Sequence, residues 1–329
     1  ALGSAVAMAM VAERDGRYAV LQQHGAEYIE WAEECEDWPA VVLLKLEFGN
    51  SFHALGQVEH SKAHIESALD VARTHRLPWV AAILNRMCFL AIRAGALDTA
   101  ASHAREAVYA GELSGDMGDI GNAYSMLSRV AWQRGDNEQA QFFNAEATLR
   151  FEQSGSRLGL AEALNTEGEI ARTRGDYEAA ERAYIAASAR YRRSGSTYFV
   201  YPEINLAVTY IATGRFAEAK PILLEVDPIL QRTGREVISL IVQLWLTTCA
   251  GHDGDWATVQ TNLQTLGPAL QRAAMFDSDI VRAGRAAAEQ CAAAGQNESA
   301  SMAWAIVVHQ LDNLGRSDEA DAIRDRATV

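Results

Sequence analysis

The sequence predicts an all-α protein, a right-handed α-solenoid of about eight helical hairpins followed by a short capping helix. Three observations carry this prediction: a glycine recurs at a nearly constant period, mostly small residues lie at fixed distances from it, and apolar side chains follow helical spacing. A fixed period of this kind is typical of solenoids, whose repeats contact only their neighbours. The glycines are 39 to 41 residues apart, at Gly16, Gly56, Gly95, Gly135, Gly175, Gly214, Gly254 and Gly295.

Residues 161–195 show the repeat unit most clearly, as two amphipathic helices joined by a tight turn. Gly175 can adopt the left-handed conformation that ends the first helix, and the Asp176 side chain can accept backbone N–H groups of the second. Small residues on either side of the turn let the two helices approach closely. They are Ala9, Gly49, Cys88, Ser128, Gly168, Ala207, Thr247 and Ala288 before the turn, and Leu21, Ser61, Ala100, Ala140, Ala180, Ala219, Val259 and Ala300 after it.

Prolines and a polar tail mark the irregular elements. Pro221 and Pro228 fall inside the second helix of repeat six, where we expect a kink or a break because each removes a backbone donor. The Gly267-Pro268 pair should interrupt the second helix of repeat seven in the same way. Residues 317–328 are polar on one face and apolar on the other, which predicts the capping helix.

The unbroken period predicts one continuous solenoid over residues 1–329. The first predicted helix carries no charge before Glu13, and a helix that is apolar on all sides is buried on more than one of them. We therefore expect the chain to be the C-terminal part of a longer protein, with an upstream domain or a second copy packed on its N-terminal edge.

Composition narrows the function. Hydrophobic residues make up 49% of the chain, which favours a large buried core, and the net charge of −14 disfavours direct binding to nucleic acid or to an anionic membrane. The four cysteines, Cys35, Cys88, Cys249 and Cys291, lie in different repeats and are interpreted as buried free thiols. This pattern favours the cytoplasm.

Catalytic motifs are missing from the sequence, since it contains no phosphate-binding glycine loop, no nucleophile elbow and no zinc-protease motif. We expect no enzymatic activity, no cofactor and no metal. His60 and His64 are four residues apart but lack a third ligand, so a solvated surface is the preferred interpretation.

Asparagine, arginine and aromatic residues that could bind a ligand recur on the first helix of each pair in repeats two to seven. Asn can donate to and accept from the backbone of an extended peptide, Arg can bind a carboxylate, and aromatic rings offer apolar faces. Packing between repeats remains the alternative for Phe89, Trp132 and Trp245. The full set is Asn50, Asn85, Arg86, Phe89, Asn122, Arg129, Trp132, Asn165, Glu169, Arg172, Tyr201, Asn205 and Trp245, together with Glu47 and His53.

The unit from Gly168 to Ala187, with its Gly-Asp-aromatic turn, resembles the tetratricopeptide repeat, although the family's unit is about six residues shorter. HEAT-like repeats have a similar period, but the Gly-Asp turn disfavours them. The repeat style is similar to the C-terminal solenoids of bacterial regulators that join an ATPase, and often a kinase or a DNA-binding domain, to a repeat array. The resemblance implies that the first helices line a concave groove. It also implies that the exposed positions of the groove lie about 13, 10, 9, 6 and 3 residues before each turn glycine, which makes the set given above the predicted ligand-binding residues.

Two function classes follow. In the first, a peptide, protein or small effector binds the groove, and an attached output domain senses the change. In the second, the chain is an assembly scaffold that mediates oligomerisation or inter-domain docking with no ligand in the groove.

Overall fold

The computed structural model describes residues 3, 6–9, 18–54, 57–273, 276 and 278–327. The described residues contain no strand, and 86% of the structure is helical, so the predicted all-α helical repeat is confirmed. The helices are α1 Tyr18–Glu34, α2 Trp38–Ala54, α3 Val58–Thr74, α4 Val80–Arg93, α5 Leu97–Ser114, α6 Met117–Gln133, α7 Asn137–Ser154, α8 Arg157–Thr173, α9 Tyr177–Arg193, α10 Val200–Ala212, α11 Phe216–Arg232, α12 Glu236–His252, α13 Trp256–Ala273, α14 Ser278–Ala293, α15 Asn297–Asn313 and α16 Ser317–Asp321, with 3₁₀ turns at Thr197–Phe199 and Arg324–Ala327.

The chain divides into two compact units, Ala1–Ile170 and Ala171–Val329, here called unit 1 and unit 2. Within each unit, a first helix packs on the second helix of its own hairpin, as α6 does on α7 and α14 on α15. First helices of successive hairpins also meet, α4 with α6 in unit 1 and α12 with α14 in unit 2. Side chains on the first helices therefore lie close to one another.

The turns have the predicted chemistry. Gly135, Gly175 and Gly254 have φ angles of 79°, 79° and 76°, the left-handed region that glycine adopts without strain. The aspartate after each of them accepts a backbone N–H three residues on, at 3.0 to 3.1 Å. These carboxylates cap α7, α9 and α13. The predicted turn glycines Gly16 and Gly56 lie outside the described residues.

The residues at the two predicted small positions are buried in all the repeats. Ala9 in the first repeat is 2% exposed and Ala300 in the last repeat is 6% exposed. Their closeness is visible in repeat four, where the Ser128 hydroxyl donates to the carbonyl of Ala140 at 2.7 Å. Only a small side chain permits this approach between α6 and α7. The predicted reason for the small residues is therefore correct.

The predicted helix breaks are wrong, and the kink expected in repeat six stays a prediction. Pro221 and Pro228 lie within α11, Pro268 lies within α13, and both helices are continuous. All three prolines are exposed, whereas Leu223, Val226 and Leu230 on the opposite face of α11 are fully buried. On the solvent face water can bind the freed carbonyl groups, while the buried face holds the helix together.

Two smaller predictions need correction. The C-terminal cap is a five-residue helix and a 3₁₀ turn rather than one helix over residues 317–328, although Ala320 and Ile323 are buried as the pattern requires. Cys35 is exposed, whereas Cys88, Cys249 and Cys291 are buried. Most of the apolar first helix lies outside the described residues. No helix in the described part of the chain is long and apolar enough to cross a membrane.

Candidate functional site

The predicted ligand-binding residues are distributed over both units. In unit 1 they lie on the first helices α2, α4, α6 and α8. In unit 2 they lie at the end of α8 and on α10 and α12. The structure brings some of them together and separates others, and the two units are described in turn.

In unit 1 an aromatic and cationic group joins α2 to α4. The Arg86 guanidinium lies 5.1 Å from the centre of the Phe89 ring, and the His53 ring meets the same ring edge-on at 6.1 Å. The positive guanidinium is attracted to the negative face of the ring. Arg86 and Phe89 were both predicted as contacts, and the structure places them side by side.

A second polar group in unit 1 centres on Asp119, at the start of α6. The Asn85 amide donates from α4 to the Asp119 carbonyl at 3.0 Å, and the Asn122 side chain bonds to the Asp119 carboxyl. Burial, and then the neighbouring Asp116, raise the pKa of Asp119 to about 6, although the bond from Asn122 acts in the opposite direction. Asn85 therefore ties two successive first helices together.

Buried amide oxygens remain in this region. Asn85 is only 9% exposed, and its Oδ1 atom has no hydrogen-bond partner among the described residues. The Oδ1 atom of Asn50 on α2 is in the same state. An acceptor left unpaired in the interior costs free energy, about 1–3 kcal/mol.

Other predicted residues of unit 1 contact neighbours within the unit. Trp132 is half-buried against Ala131, Ala140 and Ile170, as its packing alternative requires. Asn165 donates to Glu169 one turn later on α8 at 3.1 Å. Arg129 is half-buried on α6 and lies near Cys88, where burial raises the pKa of the thiol to about 12 and Arg129 opposes that rise.

Unit 2 contains a cleft of about 450 Å³. Two predicted residues line it, Arg172 and Trp245, whereas Asn205 does not. Tyr201 also lies elsewhere, stacked on Tyr198 below the Arg235 guanidinium. The lining residues are Arg172, Tyr177, Val208, Ile211, Ala212, Phe216, Trp245, Thr248, Arg282, Ala286, Glu289 and Gln290.

The cleft combines an apolar wall with a few charged groups. Trp245 is only 4% exposed and belongs to the unit 2 core, and the Phe216 ring stacks on His252 with the centres 3.9 Å apart. The Arg172 Nε–H donates to the Tyr184 hydroxyl at 3.3 Å, which holds the guanidinium in place. An apolar pocket with a small number of placed polar groups is typical of ligand sites.

A close approach shapes one wall of the cleft. A Cβ atom on Gly251 of α12 would lie 2.4 Å from Oε1 of Gln290 on α14. Glycine at this position therefore makes room for the Gln290 amide. A larger residue would displace that flexible amide.

The sequence prediction missed Arg282, Ala286, Glu289 and Gln290 because it stopped at repeat seven. Three of these residues lie at the predicted distances before the turn Gly295, since Arg282 is 13, Ala286 nine and Glu289 six residues before it. Applying the same rule to repeat eight would have found them.

The arrangement was compared with known proteins. No family model and no curated protein matches the sequence. A Rap protein complexed with Competence and Sporulation Factor has a similar structure, with a TM-score of 0.64 and 12% identity over 97% of this chain and 99% of that one. The chain has the tetratricopeptide-repeat fold.

Two further solved structures share this fold at low identity. The apo form of the quorum sensor NprR from B. thuringiensis has a TM-score of 0.53 and 12% identity, over 95% of this chain and 84% of that one. A signal-transduction ATPase with numerous domains and a tetratricopeptide-repeat sensor, from Pyrococcus horikoshii, has a TM-score of 0.55 and 11% identity. It is matched over 100% of this chain but only 47% of its own length.

Proposed function

We propose that this chain is a non-catalytic sensing domain of a regulator and that a peptide or a peptide-like part of a protein binds in the unit 2 cleft. The carrying observation is that first helices of four successive hairpins, α8, α10, α12 and α14, each contribute side chains to one cleft. Its volume lies within the range of about 300–1,000 Å³ that is usual for ligand sites.

The chemistry of the cleft supports binding rather than catalysis. Its charged side chains are Arg172, Arg282 and Glu289, and none of the lining residues pairs a nucleophile with a base. Among the described residues, no group of three His, Cys, Asp or Glu side chains could hold a metal ion.

The proteins with similar structures agree with a sensing role. One Rap structure contains Competence and Sporulation Factor, NprR is a quorum sensor, and the Pyrococcus protein has a repeat sensor. In a repeat array, a ligand that contacts several first helices at once can alter the rotation between hairpins. An attached output domain would sense that rotation.

A substitution that fills the cleft with a larger side chain tests the proposal. Fluorescein-labelled random heptapeptide pools should bind the chain, as measured by anisotropy. Ala286→Leu fills the cleft and should weaken binding by at least tenfold. Ala189→Leu, at an exposed position on α9 outside the cleft, should not. Equal affinity of the two variants, or no binding by any pool, contradicts the proposal.

The polar residues of unit 1 stay candidate contacts for the same kind of ligand. Asn85 is buried and Arg129 is half-buried, and both lie on first helices. If a peptide contacts unit 1 through these residues, Arg129→Ala should weaken its binding several-fold without lowering the melting temperature.

The scaffold alternative has one specific observation in its favour. Large apolar side chains are exposed on the second helices α5 and α7, with Tyr109 at 62%, Leu113 at 72% and Phe142 at 59% exposure. Such groups mark interaction surfaces when they are contiguous. If the chain is a scaffold, it should self-associate in analytical ultracentrifugation, and Leu113→Ser with Phe142→Ser should abolish the association.

A further inference from the structure

Unit 2 contains a second cleft, of about 400 Å³, beside the first. It lies between α14, α15 and the 3₁₀ turn at the end of the described chain. Its polar groups are distinct from those of the first cleft except at one position. Its lining residues are Glu289, Ala292, Asn297, Ala300, Trp304 and Arg326.

Glu289 is the position that the two clefts share. At about 100° per residue, Ala286 and Gln290 lie on one side of Glu289 around α14, and Ala292 lies on the other. The two clefts therefore adjoin across a ridge of α14 on which the exposed Glu289 carboxylate stands. A ligand that fills one cleft can continue over this side chain into the other.

Charge alternates along this path. Arg172 and Arg282 lie in the first cleft, Glu289 stands on the ridge, and the Arg326 guanidinium lies 5.3 Å from the centre of the Trp304 ring in the second cleft. Guanidinium groups favour carboxylates, and a carboxylate favours an ammonium or guanidinium group. The ligand that matches this order has a positive charge between two negative ones.

We infer that the ligand is an extended peptide that crosses α14, with a Lys or Arg side chain at Glu289 and a carboxylate towards each cleft. This inference rests on the proposed function, because it specifies the ligand of the same site. Helices pack about 8–10 Å apart, which about three residues of extended chain can span. With one anchored residue in each cleft, the peptide has at least five residues.

The test uses fluorescein-labelled heptapeptide pools that differ only in the central residue, which is Lys, Ala or Glu. The chain should bind the Lys pool at least tenfold more tightly than the Glu pool. Glu289→Gln should remove this preference while the Ala pool binds as before. Glu178→Gln makes the same change of charge at an exposed position outside both clefts and should leave the preference intact.

A comparison of heptapeptides with tripeptides distinguishes binding across both clefts from binding in the first cleft alone. Arg326→Gln should weaken heptapeptide binding several-fold and leave labelled tripeptides unaffected. Arg232→Gln, an exposed arginine outside both clefts, is the control.

The outcomes distinguish this inference from the proposed function. One contrary result is that peptides bind the first cleft without a preference for central Lys, and another is that they bind the Arg326→Gln variant as tightly as the wild type. Either result contradicts the inference that the peptide crosses α14 and leaves the proposed sensing function in place. If no peptide of either length binds, both are overturned.

Discussion

The two units have the same repeat but different interiors. Unit 2 has one continuous buried cluster that runs from Ala180 to Ile323, whereas the buried apolar residues of unit 1 form five clusters joined only through half-buried side chains such as Val108 and Phe143. One repeat position differs between the units. It is occupied by the buried polar residues Asn85, Ser125 and Asn165 in repeats three to five and by the apolar residues Ile204 and Leu244 in repeats six and seven, whereas repeat two has Leu46 and repeat eight has Arg285 there.

The difference shows that the repeat period does not determine how the interior is connected. Small residues at the hairpin contacts suffice to bring the two helices together in both units. In unit 1 the Asn85 side chain bonds to the next first helix at Asp119, whereas Asn165 bonds to Glu169 on its own helix. Polar groups therefore lie among the apolar side chains of the unit 1 first helices.

The largest expected effect compares two leucine-sized residues at the same repeat position, Leu223 in unit 2 and Ile65 in unit 1, both fully buried. Each substitution by Ala should cost about 2–5 kcal/mol. Hydrogen exchange should show that Leu223→Ala lowers amide protection across α10 to α15, because the core is continuous. The effect of Ile65→Ala should stay within α2 to α4. Equal spreading in the two variants would contradict the comparison.

The next effect concerns how tightly unit 1 packs within a cluster. The Phe151 ring fits between Gly121 and Gly159, where added Cβ atoms would lie 2.7 and 2.3 Å from it. Gly159→Ala should destabilise unit 1 by about 1–3 kcal/mol in urea unfolding. Adding Phe151→Leu should recover part of that loss. In unit 2 a Cβ atom on the buried Gly284 would lie 3.0 Å from the Val307 side chain, so Gly284→Ala should cost less.

The sequence predicted the hairpins because their determinants are local. A glycine and two mostly small residues per repeat, with an aspartate after the glycine in repeat five, were enough to predict the cap at Asp176 and the close packing of Ser128 on the next helix. The predicted breaks at the prolines failed because the effect of a proline depends on which face of α11 and α13 meets solvent. That face is set by packing against neighbouring helices and not by the proline itself.

The site was predictable in part for the same reason. Arg172 and Trp245 were found because their distance from the turn glycine places them on the first helix. Tyr201 satisfied the aromatic criterion but stacks on Tyr198 instead. The pairing of first helices that closes the cleft, with Gln290 lying over Gly251, depends on contacts between repeats, which the spacing within one repeat does not encode.

A pH effect should distinguish the polar interior of unit 1. The pKa of Asp119 is raised to about 6 from an ordinary value of 3.8, so its ionised form is disfavoured in the folded state. Unit 1 should therefore gain stability from this group as the pH falls from 7.5 to 5, on the order of 1 kcal/mol. Asp119→Asn should stabilise unit 1 at pH 7.5 and flatten the dependence between pH 4 and 7. The exposed Asp70→Asn is the control and should leave the dependence in place.

The smallest effect tests whether the polar residues of unit 1 serve stability at all. Asn85→Leu imitates Leu244 of unit 2 at the same repeat position. It loses the bond to Asp119, worth about 1 kcal/mol, but removes an unpaired buried oxygen and adds apolar burial. We expect a net gain of about 1 kcal/mol, or about 2–4 °C in melting temperature for a unit of this size. Asn85→Ala loses the bond without filling the space and should melt below the wild type.

The order of the three melting temperatures decides the interpretation. If Asn85→Leu melts highest, the asparagine lowers the stability of unit 1 and its presence points to a role outside folding, such as ligand contact. If the wild type melts highest, the bond between α4 and α6 outweighs the unpaired oxygen. Asn85 is then a packing residue, and the division of the unit 1 core is explained by stability alone.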